Sequence, residues 1–251
     1  MIKAEKINSI EELRKIGDAV RNENLKIGNE IADKILVCAG GGCIASGSLM
    51  VKAAIQKELK EHGIDDKVLL VETGCLGPCS RGPVIVTAKD KIFYQGVSPD
   101  DAKDIVEKHL IKGEILEHLC WKDEATDKPI PVITDIDFFR RQVKIVLRNC
   151  GEINPLSIEE YIGRDGYLAL AKVVTEHSPE YIINEMKKSG LRGRGGAGFP
   201  TWLKWSFAQN SKSDVKYMLC NADEGDPGAY MDRSILEGDP HSVIEGMAIG
   251  A

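Results

Sequence analysis

The sequence lacks features that mark several common classes of protein. It has no excess of basic residues, since 33 Lys and Arg stand against 39 Asp and Glu for a net charge of −6. This argues against a general nucleic-acid binder, which would present a basic face. No apolar run approaches the roughly 20 residues that cross a bilayer, and charges interrupt residues 1–7, where a signal peptide needs an apolar core. These absences predict a cytoplasmic protein that neither binds nucleic acid nor inserts into a membrane.

Seven cysteines are present. Disulfides are rare in the cytoplasm, so metal ligation is the first explanation to consider. Four of the cysteines form close pairs, Cys38 with Cys43 in a C-x4-C spacing and Cys75 with Cys79 in a C-x3-C spacing. Each pair follows a predicted strand, and the neighbouring glycines let the backbone wrap around a bulky centre. Two pairs of thiolates suit a [2Fe–2S] cluster, with two for each iron.

A structural zinc site with four cysteines is the strongest alternative, although zinc pairs most often have a C-x2-C spacing. The three other cysteines have no spacing partner and are expected to pack as small hydrophobic residues. They are Cys120, Cys150 and Cys220.

The hydrophobic pattern predicts a small α/β unit in the order β-α-β-β-β-α, preceded by a helix over residues 9–24. Its strands are expected at 35–37, 68–71, 84–86 and 92–94, and its helices at 46–61 and 99–110. Ser9, with Glu12 three residues on, is expected to cap the first helix, and Ser98-Pro99 is a start signal for the last. A polar stretch with prolines over residues 120–135 predicts a linker. Helical signals follow to about residue 189. A helix is then expected near 201–209 and a strand near 215–220. The last six residues resemble the inside of a packed helix, which favours a truncated domain.

A glycine-rich stretch over residues 190–198 precedes the helix near Thr201. Residues 193–198 satisfy G-x-G-x-x-G, but helical signals rather than a strand precede them, so the pattern alone is weak support for a Rossmann fold. Glycines let backbone N–H groups approach a phosphate, and the following helix offers its positive end. Positive charge would come from Arg192, Arg194 and Lys204. The alternative to a phosphate-binding loop is a mobile surface loop with solvated arginines, which would have the same composition.

Longer motifs resemble known families. Residues 34–119, with Gly-Cys-x-Gly-x-Cys at 74–79, resemble the thioredoxin-like [2Fe–2S] ferredoxin domain of the small NADH-dehydrogenase subunit in respiratory complex I. NAD(P)-linked hydrogenases carry a fused copy at the N-terminus of their large flavoprotein subunit. From about residue 136, GLRGRGGAGFPT at 190–201, followed by LKW, and NADEGDPG at 221–228 are similar to the FMN- and NADH-binding flavoprotein subunit of complex I. Diaphorase subunits of soluble NAD-linked and electron-bifurcating hydrogenases share both motifs.

The resemblance implies an α/β fold in four parts: an N-terminal helical segment over 1–33, a thioredoxin-like ferredoxin domain over 34–119, the linker over 120–135, and a truncated FMN- and NAD(P)H-binding domain over 136–251. The implied cofactors are a [2Fe–2S] cluster held by the four paired cysteines, FMN, and NAD(H) or NADP(H). A [4Fe–4S] cluster is expected only in the C-terminal part of the family, which this sequence does not contain.

The resemblance also implies individual roles in the flavin half. The residues that it implies contact FMN are Gly193, Arg194, Gly195, Lys204, Asn221, Asp223 and Glu224. It implies that Phe199 and Phe207 stack on the nicotinamide nucleotide and that Gly196 and Asp226 lie near the dinucleotide. Trp202 stands where the family usually has glycine. If that position needs a positive φ, tryptophan is strained there; alternatively, the indole lines or narrows the nucleotide pocket.

The implied function is that of an oxidoreductase subunit, a diaphorase module. NAD(P)(H) would exchange hydride with FMN, with no catalytic side chain, and single electrons would pass through iron–sulfur clusters to a partner such as a hydrogenase. The expected partners are a catalytic iron–sulfur subunit and a small [2Fe–2S] subunit. The alternatives are a diaphorase subunit of a formate dehydrogenase or respiratory NADH dehydrogenase, and a stand-alone [2Fe–2S] carrier or assembly module without flavin. The choice of NAD or NADP, the FMN binding and the activity of this length of chain stay open.

Overall fold

The computed structural model describes residues 6–27 and 33–251. At the centre of the first half is a four-stranded sheet in the order β2-β1-β3-β4. Its strands are β1 Asp33–Cys38, β2 Val68–Thr73, β3 Ile85–Thr87 and β4 Phe93–Tyr94. β1 is parallel to β2 and antiparallel to β3, and β3 pairs with β4 in an antiparallel hairpin. The predicted order of strands and helices along the chain and the predicted hairpin are confirmed.

Helices cover one face of this sheet. They are α3 Ser48–Glu61 and a continuous helical segment made of a 3-10 turn Pro99–Asp101, α4 Ala102–Asp104 and a π-helical stretch Ile105–Ile111. The short helix α2 Gly41–Ala45 lies between β1 and α3, and its Cys43 packs in the core on the other face. Ser98 begins the continuous segment with a capping box to Asp101, as the Ser-Pro signal predicts. The apolar side of α3, with Val51, Ile55 and Leu59, packs on Ile35 and Val37 of β1.

A buried polar pair lies in the same layer. The Tyr94 hydroxyl is 2.7 Å from Nδ1 of His109 and accepts a hydrogen bond from the backbone N–H of Leu116. The tyrosine hydroxyl donates to Nδ1 when that nitrogen is unprotonated and accepts from it when it carries the proton. Burial is the main cause that lowers the pKa of His109.

The segment predicted to be a linker packs on the other face of the sheet. It forms a hairpin of β5 Trp121–Lys122 and β6 Pro129–Ile130, a 3-10 turn Ile133–Asp135, and then α5 Asp137–Arg140. Trp121 and Ile133 pack on the core around Leu36 and Phe93. All six residues of β1 are buried, as expected for a strand covered on both faces. The expected linker is therefore wrong in structure, because its apolar residues cover the second face; the domain boundaries stay a prediction.

The second half is helical. Its helices are α6 Ile158–Gly163, α7 Leu168–Glu176, α8 Pro179–Ser189, α9 Thr201–Asn210, α10 Met231–Gly238 and α11 Pro240–Gly250. The predicted helix near 201–209 is confirmed. The strand predicted at 215–220 is wrong: in the described residues this stretch has no strand partner, and Tyr217 and Leu219 are exposed. An apolar stretch does not form a strand without a ladder to join.

The N-terminal helix α1, Ile10–Asn24, starts at Ser9, whose side chain accepts from the Glu12 N–H, as predicted. It packs on the second half, where the Arg21 guanidinium donates to the carbonyl of Gly163 at 2.9 Å. The parts of the predicted N-terminal segment at 1–5 and 28–32 lie outside the described residues. Among residues 6–27 and 33–251, none of the helices combines the length and hydrophobicity that a bilayer crossing requires.

A buried carboxylate organises the packing of the second half. Glu245 of α11 accepts hydrogen bonds from the Tyr161 hydroxyl at 2.5 Å and from the N–H groups of Tyr167 and Leu170 at 2.9 and 3.0 Å. These three donors compensate the desolvation of the carboxylate. Glu245 therefore ties α11 to α6 and α7.

Candidate iron–sulfur site and flavin motifs

The four paired cysteines meet at one edge of the sheet. Cys38 ends β1 and Cys43 lies in α2, while Cys75 follows β2 and Cys79 begins a 3-10 turn. Because β1 and β2 are parallel, their carboxyl ends lie side by side, and the loops that leave them emerge at the same edge. The two sequence pairs are thus brought together by the strand pairing.

The sulfur atoms are arranged in pairs. The Sγ atoms of Cys75 and Cys79 are 3.8 Å apart, close to the separation of two thiolates about 2.3 Å from one tetrahedral ion. Cys38 is in side-chain contact with both Cys43 and Cys75. In the part of the chain that the structure describes, no three Cys, His, Asp or Glu side chains converge on a single ion position. A binuclear cluster needs two thiolates at each iron, and the close contact of Cys75 with Cys79 supplies one such pair.

Three glycines leave the space that the thiols need. A Cβ atom at Gly40 would lie 2.9 Å from Cβ of Cys75, one at Gly42 would lie 3.1 Å from Cβ of Cys79, and one at Gly82 would lie 2.9 Å from Sγ of Cys43. Any larger residue would push the loops away from the sulfur atoms. Together with the chemistry of four thiols, this close-fitting loop arrangement fits a [2Fe–2S] cluster.

The environment of the thiols differs from one side to the other. Cys38 and Cys43 are buried, Cys75 is partly buried and Cys79 is exposed. The contact with Cys43 raises the pKa of Cys38 to about 11, while the same contact lowers the pKa of Cys43. Contact with Cys38 raises the pKa of Cys75, and desolvation raises that of Cys79. Thiols with raised pKa values are protonated at neutral pH until metal binds, so cluster assembly releases protons.

The second half of the chain contacts this site through Thr73, just before Cys75. The buried Thr73 hydroxyl donates to the carbonyl of Ile153 at 2.9 Å and accepts from the N–H of Gly151 at 3.0 Å. A Cβ atom at Gly151, which has a φ of +85°, would collide with a methyl carbon of Leu76, so the two loops approach closely. The loop around residue 151 is therefore docked on the cysteine loop.

Cys150 belongs to the same contact, which its sequence spacing did not indicate. A Cβ atom at Gly74 would lie 2.9 Å from Sγ of Cys150 and 2.5 Å from Cα of Gly238, at the end of α10. Burial raises the pKa of Cys150 to about 11. The contact joins segments that are far apart in sequence, and no local pattern signals it.

The two remaining cysteines behave differently. Cys120 is fully buried in the core, and burial raises its pKa to about 11, so the expectation that it packs is confirmed. Cys220 is exposed, and that expectation is wrong, because the strand that would have buried it does not form.

The glycine-rich stretch forms a narrow turn directly before α9. Its base is closed by an antiparallel bridge between Arg192 and Pro200 and by a hydrogen bond from Gly193 N to Phe199 O of 2.9 Å. The Arg192 guanidinium donates to the carbonyl of Gly198, and Arg194 donates to the carbonyl of Arg192. The turn therefore holds its arginines beside the amino end of α9.

The candidate residues of this turn and of α9 are accessible. Gly195 and Gly196 have open space where a side chain would be, and Gly196 has a φ of +97°. Lys204 and Phe207 lie on α9, and Phe199 and Phe207 are exposed by 45% and 61%.

Trp202, which stands where the family usually has glycine, lies inside α9. Unlike a few other non-glycine residues of the described chain, Trp202 does not have a positive φ, so its backbone is not strained. Its ring is 4.8 Å from Nζ of Lys187 on α8. Of the two alternatives for Trp202, backbone strain is excluded, because a helical φ accommodates any side chain; an indole that lines or narrows the nucleotide pocket stays a prediction.

The second flavin motif, residues 221–226, leads into α10. Asn221 accepts from the N–H of Asp223 at 3.0 Å. Both carboxylate oxygens of Glu224 cap α10: they accept from the N–H groups of Met231 at 2.7 Å and Arg233 at 3.1 Å. Backbone N–H donors, that of Asp232 first, lower the pKa of Glu224. Asp226 is exposed.

The structure thus brings the four cysteines together but leaves the flavin candidates in two separate segments. Within the described residues, no hydrogen bond joins residues 193–204 to residues 221–226. Their assignment to FMN or nucleotide binding stays a prediction.

Two family models match the chain. Residues 28–110 match the thioredoxin-like [2Fe–2S] ferredoxin, and residues 186–251 match the Nuo51 FMN-binding domain. The chain therefore contains one segment similar to a thioredoxin-like [2Fe–2S] ferredoxin and a separate segment similar to the Nuo51 FMN-binding domain. The resemblance, the fold class and the two cofactors predicted from the motifs are confirmed.

Individual relatives match parts of the chain. The chain is 60% identical to the NADP-reducing hydrogenase subunit HndC of Solidesulfovibrio fructosivorans over 44% of this chain and 22% of that protein. It is 48% identical to an NADH-quinone oxidoreductase subunit of Escherichia coli (strain K12) over 39% of this chain and 22% of that protein. The chain thus spans just over a fifth of the length of these curated relatives. Among solved structures, it matches a thioredoxin-like [2Fe–2S] ferredoxin from Aquifex aeolicus at 31% identity and a TM-score of 0.33, over 35% of this chain and 87% of that one.

Proposed function

We propose that this chain is part of an NAD(P)-linked electron-transfer flavoprotein subunit, an oxidoreductase module that links a nicotinamide nucleotide to iron–sulfur clusters. The observation that carries the proposal is the pairing of four thiols at one sheet edge in a chain that also matches an FMN-binding family. A flavin exchanges two electrons with a nicotinamide and one at a time with metal centres, so the two sites belong to one electron path.

Cys38, Cys43, Cys75 and Cys79 are the proposed ligands of the [2Fe–2S] cluster. When bound, such a cluster accepts and donates single electrons. The buried Cys38 and Cys43 exclude water from the inner side of the site. The exposed Cys79 leaves the outer side accessible to a protein partner.

The flavin and nucleotide contacts are proposed from the motifs and supported by accessibility. Arg194 and Lys204 supply positive charge beside the amino end of α9, where backbone N–H groups and the helix dipole favour a phosphate. The open glycines allow close approach of the ligand, and the exposed rings of Phe199 and Phe207 are free to stack on a planar base. The other proposed contacts are Gly193, Gly195, Gly196, Asn221, Asp223, Glu224 and Asp226.

The proposed partners are further subunits of a hydrogenase-type complex, a catalytic iron–sulfur subunit and a small [2Fe–2S] subunit. This assembly is favoured over a respiratory one because the chain is 60% identical to the NADP-reducing hydrogenase relative and 48% identical to the NADH-quinone oxidoreductase relative. Copurification from the native source distinguishes the two, since a hydrogenase subunit is captured in one case and NADH-quinone oxidoreductase subunits in the other.

The function is tested on anaerobically purified protein by measuring bound flavin and iron, and then the bleaching of flavin absorbance on addition of NADH or NADPH. We expect both cofactors, and a loss of flavin in Arg194→Gln that the matched surface variant Arg14→Gln does not show. A protein that binds neither flavin nor iron would overturn the proposal.

A further inference from the structure

An arginine from the flavin half touches the cysteine loop of the ferredoxin half. A Cβ atom at Gly41 would lie 3.3 Å from Cζ of Arg233 and 3.4 Å from its Nη2. Gly41 lies between Cys38 and Cys43, two of the four proposed ligands. The guanidinium of α10 therefore lies against the backbone that wraps the proposed cluster.

Three further contacts fix the position of this arginine. Its backbone N–H donates to Glu224, and its Nε donates to Oε1 of Glu237 at 2.8 Å. The end of α10 is held at Gly238, whose own Cβ would lie 3.2 Å from Cα of Gly74 and would collide with Sγ of Cys150. α10 thus contacts the loops of both cysteine pairs, and Glu224 connects it to the second flavin motif.

The charge of the arginine is not matched on the loop that it touches. Residues 39–42 are Ala-Gly-Gly-Gly and carry no ionisable side chain. The charged partner of the guanidinium is Glu237, and both side chains are roughly half exposed. A cluster with four thiolates is an anion, and reduction adds one negative charge, so a fixed cation nearby favours the reduced state.

We propose that Arg233 sets the reduction potential of the [2Fe–2S] cluster and holds the ferredoxin loop in place against the flavin half. The inference rests on the proposed cluster site. Arg233 is a positioning residue: it makes the cluster easier to reduce through its charge, and α10 carries the same residue into contact with the flavin motif at Glu224.

The test is a redox titration of the cluster in the full chain, followed by electron paramagnetic resonance. Arg233→Met should shift the midpoint potential to a more negative value, whereas Arg233→Lys, which keeps the charge, should shift it less. Glu237→Gln should shift the potential in the opposite direction, because it removes a negative charge from the same neighbourhood. The shifts should shrink as ionic strength rises, since exposed charges are screened; a purely structural role would not show that dependence.

Unchanged potentials in Arg233→Met and Glu237→Gln with the cluster present would overturn the inference. If Arg233→Met loses the cluster, the Glu237→Gln variant alone tests the charge argument. A midpoint potential in Glu237→Gln that is unchanged or more negative than that of the unsubstituted protein would contradict it. Absence of iron and sulfide from the unsubstituted protein would instead overturn the proposed cluster site, and is recognised before any variant is titrated.

Discussion

Thr73→Val should weaken the docking of the second half on the cysteine loop. Valine keeps nearly the shape of threonine but removes a hydroxyl that makes two buried hydrogen bonds, of 2.9 and 3.0 Å. The carbonyl of Ile153 and the N–H of Gly151 would then lack these partners. An unsatisfied buried polar group costs about 1–3 kcal/mol, so for two such groups we expect the free energy of unfolding to fall by about 2–6 kcal/mol.

Urea denaturation monitored by tryptophan fluorescence measures this loss, and amide hydrogen exchange locates it. The exchange of the Gly151 amide should accelerate more than that of amides in β1. Thr175→Val is the matched control, because Thr175 lies exposed on α7 and bonds only within its own helix; its effect should stay within about 0.5 kcal/mol. A loss in Thr73→Val no larger than in Thr175→Val, with unchanged exchange at Gly151, would refute the docking.

Three further predictions concern the cysteine loops, the buried His109 and the buried Glu245. Gly82→Ala should lower the iron content per chain, because its Cβ would lie 2.9 Å from Sγ of Cys43, whereas Gly195→Ala, which has open space, should not. Burial lowers the pKa of His109, so below about pH 6.5 the unfolded state binds more protons than the folded state. The free energy of unfolding should therefore decline as the pH falls through that range. The decline should be less steep in His109→Gln. Glu245→Ala should lower the unfolding free energy by about 3 kcal/mol in urea titrations, since three donors lose their acceptor; a loss under about 1 kcal/mol would contradict this role.

Local signals predicted much of the ferredoxin half. The continuous apolar run of β1, the capped α1 and the Ser98 start signal all depend on residues close in sequence, and the structure confirms each of them. The paired cysteines were likewise recognisable, because their spacing is local and the strands that precede them were predicted.

Features that depend on distant contacts were not predictable in the same way. The stretch over 120–135 has the polarity of a linker, yet Trp121 and Ile133 cover the second face of the sheet. The contacts of Cys150 and Arg233 with the cysteine loops bridge distant segments and leave no periodic pattern. The strand expected at 215–220 has a largely apolar sequence but no partner among the described residues.

The proposed cluster is tested most directly by measuring iron, zinc and acid-labile sulfide in the anaerobically purified protein and two cysteine variants. We predict about two irons and two sulfides per chain, lost in Cys75→Ala and retained in Cys220→Ala, whose thiol is exposed and outside the proposed ligand set. One zinc without sulfide would contradict the proposal, because the four cysteines would then hold a structural metal and the electron-transfer role of the first half would fall.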